Sequence, residues 1–291
     1  MESQENQYRW PKAEAVYPDR PGRSYALKRL RYRLRAFSHR GLIAQFEQFI
    51  NQHPFLVKLL NEHADYSYPL VYRFLDKRFN RKQRFQAICD NLRFLPEKLT
   101  ALSTPIYKTP LSFGVVIPDF EMTLSMTTHQ PMEGYWVLEL WHKPRNELVY
   151  LPTFAKLGES LLISVVQGPN FEGSKEMVKQ LTKTCYGLRP AYLMVETMKA
   201  LTKVLGFNQL LGIPQKYQNK SRFIQSSHYV VDYDAIFAES GGQLKDYWEL
   251  PLESDRNLDE VPSKKRSMYR KRYAMLDDLS KVIEEKLELY K

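Results

Sequence analysis

Cysteine is scarce in this chain of 291 residues. Cys89 and Cys185 stand far apart in segments that read as helical, which excludes a disulfide-stapled fold and favours a reduced setting. The six histidines (His39, His53, His63, His129, His142 and His228) form no His-x-x-His or His-Glu-x-x-His pair. No zinc motif and no resident metal are therefore expected. Long apolar runs are missing too: LLISVV, Leu161–Val166, falls far short of the roughly 20 residues of a membrane span. The N-terminus, MESQENQYRW, has no apolar stretch of the kind that signals export. The expected location is the cytoplasm, with peripheral association at the inner membrane left open. Serine-elbow and Walker motifs, internal repeats and low-complexity tracts are absent as well.

Charge is what the chain has in excess, at a formal +10. It is unevenly placed. RPGRSYALKRLRYRLRAFSHR, Arg20 to Arg40, contains no acidic residue, and neither does KKRSMYRKR, Lys264 to Arg272. Two such segments call for an acidic partner: an acyl carrier protein, an anionic membrane surface, or nucleic acid.

The order of elements points to an α+β fold with N-terminal helices followed by a central, mostly antiparallel sheet with packed helices. Breaks at Pro11, Pro18, Pro21 and Gly22 make residues 1–22 a flexible N-terminal arm. Residues 23–103 form a basic helical region. Its first helix, Ser24 to about His39, carries an apolar seam of Leu27, Leu30, Leu34 and Phe37 flanked by Arg29, Arg31, Arg33 and Arg35. Two readings stay open for that seam: it joins the core while the arginines are solvated, or the whole helix lies on an anionic membrane.

From about Thr104 short strand-like runs follow one another (LSFGVVI, FEMTLSMTT, GYWVLELWH, ELVYLPTF, SLLISVV), with turns short enough to pair them antiparallel. An α/β core is thus expected over 104–252. It contains a strand–loop–helix ligand-binding unit, in which LLISVV leads through QGPNFEG into two helices hinged at Gly187-Leu188-Arg189-Pro190, then the strand NQLLGI. Residues 253–291 form a loop and a basic C-terminal helix. This order resembles the topology of acyl-CoA N-acyltransferases (GNAT-like). The stretch Gln167–Gly173 departs from that family's compact pyrophosphate loop, having longer spacing, a proline and a glutamate.

Candidate site residues follow from position. Gln167 and Gly168, at the end of LLISVV, can offer an amide and free N–H groups to a phosphate, or simply make a tight turn. Lys175 in the next helix adds positive charge. Arg189, before Pro190, can clamp a phosphate or cap the preceding helix. Tyr233, in VVDYDAIF, occupies the place where acyltransferases of that topology keep a tyrosine that protonates the leaving thiolate; the plainer reading is packing at a helix start, with Asp232 or Asp234 as cap. Glu139 or His142, on one strand but facing opposite sides, is the candidate base.

TKTCYGLRPAYLMVETMKALTKVLG, the YD of VVDYDAIFAESGG, the LP of WELPL and EVPSKKRSMYRKRYAML together resemble the VirK/YbjX family of Gram-negative bacteria, and the likeness extends over nearly the whole chain beyond the arm. The resemblance implies a link to virulence, the bacterial envelope and host-peptide defence, and supplies no catalytic residues. Two functions are expected in competition. One is an acyltransferase-like protein using acyl-CoA or acyl carrier protein on an envelope-related or protein acceptor. The other is a non-enzymatic basic adaptor that binds RNA or an anionic membrane surface and regulates expression or placement of a surface protein.

Overall fold

The structure, a computed structural model, describes residues 7–128, 130–219 and 231–291. His129 and His228 lie outside these residues. The helical region opens with the short α1 (Ala13–Val16), followed by α2 (Ala26–Ser38), α3 (Arg40–Asn51) and α4 (Pro54–Glu62). In the sequence Gly41 to Leu60 reads as a second helix with a break before Pro54, and it is divided there, with proline at the first turn of α4, where its missing N–H costs nothing. A 3₁₀ segment, Ala64–Val71, leads to α5 (Arg81–Lys98). A reciprocal cap starts α5: Asn80 Oδ1 accepts from the Gln83 N–H, and Gln83 Oε1 accepts from the Asn80 N–H, both at 3.0 Å.

Two features of this region bear on the sequence reading. The arm is docked from Tyr8 onward. Tyr8 is buried and its hydroxyl donates to Ser67 Oγ at 2.8 Å, while Trp10 stacks on Tyr32. In α2 the side chain that enters the core is Tyr32, and Leu27, Leu30, Leu34 and Phe37 all point outward.

The sheet comprises β1 (Leu111–Ile117), β2 (Phe120–Met126), β3 (Trp136–His142), β4 (Glu147–Leu157) and β5 (Ser160–Gln167). After the helices α6 (Ser174–Thr184) and α7 (Pro190–Val204) come β6 (Leu210–Gly212), α8 (Tyr233–Glu239), the strands β7 (Gln243–Leu244) and β8 (Trp248–Leu250), and α9 (Ser263–Glu288). Among the described residues the strand order is β1-β2-β3-β4-β5-β6-β8-β7. Neighbours run antiparallel, except β5 and β6, which are parallel because α6 and α7 carry the chain back between them.

Alternation along β3 sorts its side chains. Trp136, Leu138 and Leu140 are buried, and the Trp136 indole donates to the Asn91 carbonyl of α5 at 2.9 Å. α7 packs on β4, β5 and β6, and α9 lies along α7 and reaches β1. Both cysteines are buried thiols, Cys89 in α5 and Cys185 just beyond α6, and burial pushes each pKa up to about 12.

Candidate functional site

β5 is bonded along its whole length to β4 but only briefly to β6. The parallel register runs from Leu161 opposite Leu210 to Ile163 opposite Gly212, and the Ile213 N–H donates to the Ile163 carbonyl at 3.0 Å. The two strands then part. The cause lies in β5 itself, where Thr153 faces Val165 and Phe154 faces Ile163, so Ser164 bulges out of the β4 register. Its hydroxyl donates to the Thr153 carbonyl at 3.0 Å, and its own carbonyl accepts from Gln218 Nε2 at 2.9 Å. Meanwhile β6 gives way at Pro214 to a 3₁₀ turn, Gln215–Tyr217.

Polar groups gather around the freed end of β5. Gln167 Nε2 donates to Glu133 Oε2 at 3.3 Å, and Glu133 is buried. Asn219 Nδ2 donates to the carbonyls of Leu75 and Met132 at 3.0 and 2.7 Å. The next residue, Asp76, has a fully buried carboxylate gripped by Arg78 through Nε and Nη2 at 2.6–3.1 Å and by the Arg78 N–H at 2.8 Å. The guanidinium lies 3.7 Å from the ring centre of Tyr217 and 5.0 Å from that of Tyr247. Its bonds to Asp76 raise the Arg78 pKa further, and burial together with Asp76 raises that of Tyr247.

Tyr233 is the first residue of α8 and is buried; its N–H donates to Gln215 Oε1 at 3.1 Å. Asp232 caps the helix through the Ala235 N–H at 2.9 Å, while Asp234 accepts from the Gln215 N–H and the Trp248 indole. Tyr233 is thereby fixed to the turn that follows β6, beside the parting.

Glu139 and His142 are elsewhere. Both lie on β3, which β4 and β5 separate from β6, three strand spacings or about 14 Å. Glu139 Oε2 accepts from Thr123 Oγ1 and the Trp141 indole, each at 3.1 Å, in a shallow depression shared with Glu121 and Lys143. Lys143 and the Ser112 hydroxyl hold Glu121 below the usual carboxylate range. His142 faces the other side, buried against Phe120 at 5.0 Å between ring centres. No hydrogen bond among the described residues joins either to Tyr233.

The anion-binding candidates are also dispersed. Gln167 ends β5 and Gly168 follows it, where a Cβ would press on the Tyr150 ring at 3.3 Å. Lys175 stands exposed in the first turn of α6. Arg189 follows its last turn, about 16 Å along the axis. Arg189 pairs with Glu239 at 3.1 Å and stacks on Tyr192. The helix-end role falls to Arg272 of α9, which donates to the Tyr186 carbonyl at 2.7 and 3.2 Å.

Sequence reasoning passed over Glu133, Gln218 and the Asp76–Arg78 pair. Only Glu133 carried a signal, since it precedes Gly134, whose φ of +143° and whose would-be Cβ, 2.9 Å from the Phe154 carbonyl, require glycine. No cluster of three or more metal-ligating side chains occurs among the described residues, and no helix there is long and apolar enough to cross a membrane.

Residues 21–285 match a family model described as "Protein of unknown function (DUF535)". A Haemophilus influenzae protein described as uncharacterized is 79% identical over 282 residues, 97% of each chain. The Mannheimia haemolytica protein named membrane protein LapB is 63% identical over 216 residues, covering 74% of this chain and 96% of its own. The Escherichia coli protein YbjX, also described as uncharacterized, is 24% identical over 279 residues, 89% of this chain and 83% of its own. No solved structure matches.

Proposed function

The chain belongs to the DUF535 family, which bears out its resemblance to VirK/YbjX proteins, and on that premise we propose that it transfers an acyl group from a thioester at the parting of β5 and β6. The observation that carries this reading is the bulge at Ser164, just where the parallel pairing stops. Beyond it, β5 has an edge with no β6 partner as far as Gln167, and an extended, amide-bearing arm such as that of a pantetheine thioester can add to such an edge as a further strand. The strand order, with one parallel pair spanned by helices and a closing hairpin, is in keeping with the acyltransferase topology expected from the sequence.

In this scheme the acceptor's amine or hydroxyl attacks the thioester carbonyl. The new C–N or C–O bond forms as the C–S bond breaks. Tyr233 gives its proton to the leaving thiolate, and Glu133 takes the proton of the acceptor. Glu133 replaces Glu139 and His142 in the base role because it adjoins the end of β5 through Gln167. The name of the Mannheimia relative is in keeping with an acceptor at the envelope.

Thermal unfolding with coenzyme A, acetyl-CoA, palmitoyl-CoA and acyl carrier protein, at low and high salt, tests the reading. A thioester at a hundred times its Kd adds about 2.7 kcal/mol of stability. A salt-resistant rise selective for one donor is expected, with Tyr233→Phe keeping that rise while slowing transfer about a hundredfold. Absence of a rise with every donor overturns it.

A further inference from the structure

Helix α2 has two faces, and only one belongs to the protein. At about 100° per residue, Tyr25, Arg29, Tyr32, Ala36 and His39 share one side. That side packs inward: Tyr32 is buried against Trp10, Tyr17 and Tyr68, and Arg29 folds back to Asp19 at 2.9 Å. Leu27, Leu30, Leu34 and Phe37 stand opposite, exposed by 71%, 50%, 63% and 71%. Elsewhere among the described residues the large exposed apolar side chains are Val115, Leu244 and Leu289, each on a different element or beyond its end. A contiguous apolar row on a soluble surface marks a contact.

The charges beside the row say what it contacts. Arg31 borders the row on one side and Arg33 on the other, with Arg40 of α3 beyond its end, all exposed; Lys28, exposed as well, lies over the Tyr17 and Tyr25 rings. Arg31 has no ion pair among the described residues, and Arg40 lies over the Phe37 ring. Among the described residues the ion pairs of α2 come from the arm alone: Glu14 pairs with Arg33, and Asp19 with the inward Arg29. An apolar strip with cations on both borders is the pattern of a helix that lies in the headgroup layer of a bilayer, side chains in the acyl region and guanidinium groups on phosphates.

We propose that α2 docks the protein on an anionic phospholipid surface, flat along its length of about 20 Å. The row shares no residue with the β5–β6 parting, so docking does not depend on the acyl-transfer reading. Nucleic acid would engage the cations and leave the leucines in water. A second copy of the chain would set like charges against like.

Flotation with vesicles of phosphatidylglycerol mixed with phosphatidylcholine, against pure phosphatidylcholine, tests the proposal. The intact protein is expected to float with the mixed vesicles and to be released by salt, each basic residue adding about fivefold to partitioning. The variant Leu27→Ser/Leu30→Ser/Leu34→Ser/Phe37→Ser is expected to lose about a hundredfold in binding at an unchanged melting midpoint. Because the four positions are exposed, folding and docking are separable, and a Phe37→Trp variant supplies a second readout through its fluorescence blue shift on binding. Failure of the intact protein to float overturns the proposal. So does binding that the four-serine variant retains, as does RNA binding or self-association in place of vesicle binding.

Discussion

The side-chain amide of Gln218 donates to the backbone carbonyl of Ser164 at 2.9 Å, across 54 residues of chain and in the interior. It satisfies the carbonyl that the bulge in β5 turns away from the β4 ladder, and so holds the two strands apart at a defined point. Gln218→Leu keeps the volume but strands that carbonyl. A loss of about 1–3 kcal/mol is expected in urea unfolding, with Ser164→Ala costing less because Ser164 Oγ gives up a single bond. An unchanged midpoint for Gln218→Leu would mean that the amide does not hold the bulge.

Asp76 has no exposed side-chain surface, whereas Arg78 keeps about a third of its own. Removing the arginine leaves a buried carboxylate with only the backbone N–H of residue 78 and the Tyr247 side chain beside it, and Arg78→Ala should cost about 3 kcal/mol or more. Arg78→Lys should recover little, since an ammonium cannot reproduce the two-pronged grip or the flat contact with Tyr217. Asp76→Asn combined with Arg78→Ala should be less damaging than the sum of the single changes. Additive losses would show that the two side chains are not coupled.

Most of the fold was legible because it rests on local patterns. Period-two runs gave β1 to β5, Pro54 marked the break between α3 and α4, and the glycine–proline hinge marked the start of α7. The direction in which α2 faces was not legible. Periodicity shows that an apolar stripe exists, but not which stripe meets the core. The decision here falls to Tyr32, which packs with Trp10 and Tyr17 from a segment whose prolines read as a loose arm. The site was legible only in part. Gln167 ends β5 and Tyr233 is tied to the turn after β6, whereas Glu133 and Gln218 depend on partners 34 and 54 residues away. Glu139 and His142 were misleading for the same reason, because strand order fixes their distance from Tyr233.

The arm carries stability. Tyr8 is buried against Phe46 and bonded to Ser67, and its backbone N–H donates to Asn51 Oδ1 at 2.8 Å. Tyr8→Ala should cost about 3–5 kcal/mol by analogy with other buried aromatics. Tyr8→Phe should cost roughly 1 kcal/mol, through the hydroxyl left without its partner. Denaturant unfolding separates the two; a Tyr8→Ala protein as stable as the parent would return the arm to the loosely held state its prolines suggest.

His39 joins α2 to α5 in a single protonation state. Arg84 Nη2 donates to His39 Nε2 at 3.3 Å, which requires that nitrogen to be an acceptor, so Nδ1 carries the proton and donates to the Arg35 carbonyl at 2.8 Å. Burial lowers the His39 pKa from its ordinary 6.5; the Arg35 carbonyl acts against the shift, while Arg81, Arg84 and Arg35 add to it. The folded state therefore binds the proton more weakly than the unfolded chain does. This contribution to stability is complete above pH 6.5 and is lost as pH falls through the depressed folded value. His39→Gln removes the titration while keeping an acceptor for Arg84. Urea unfolding of parent and variant, stepped from about pH 7.5 to about pH 5 across the histidine range, should show the parent losing stability relative to the variant on the acid side. A difference that stays constant across that range would show that the imidazole does not titrate against its three arginines.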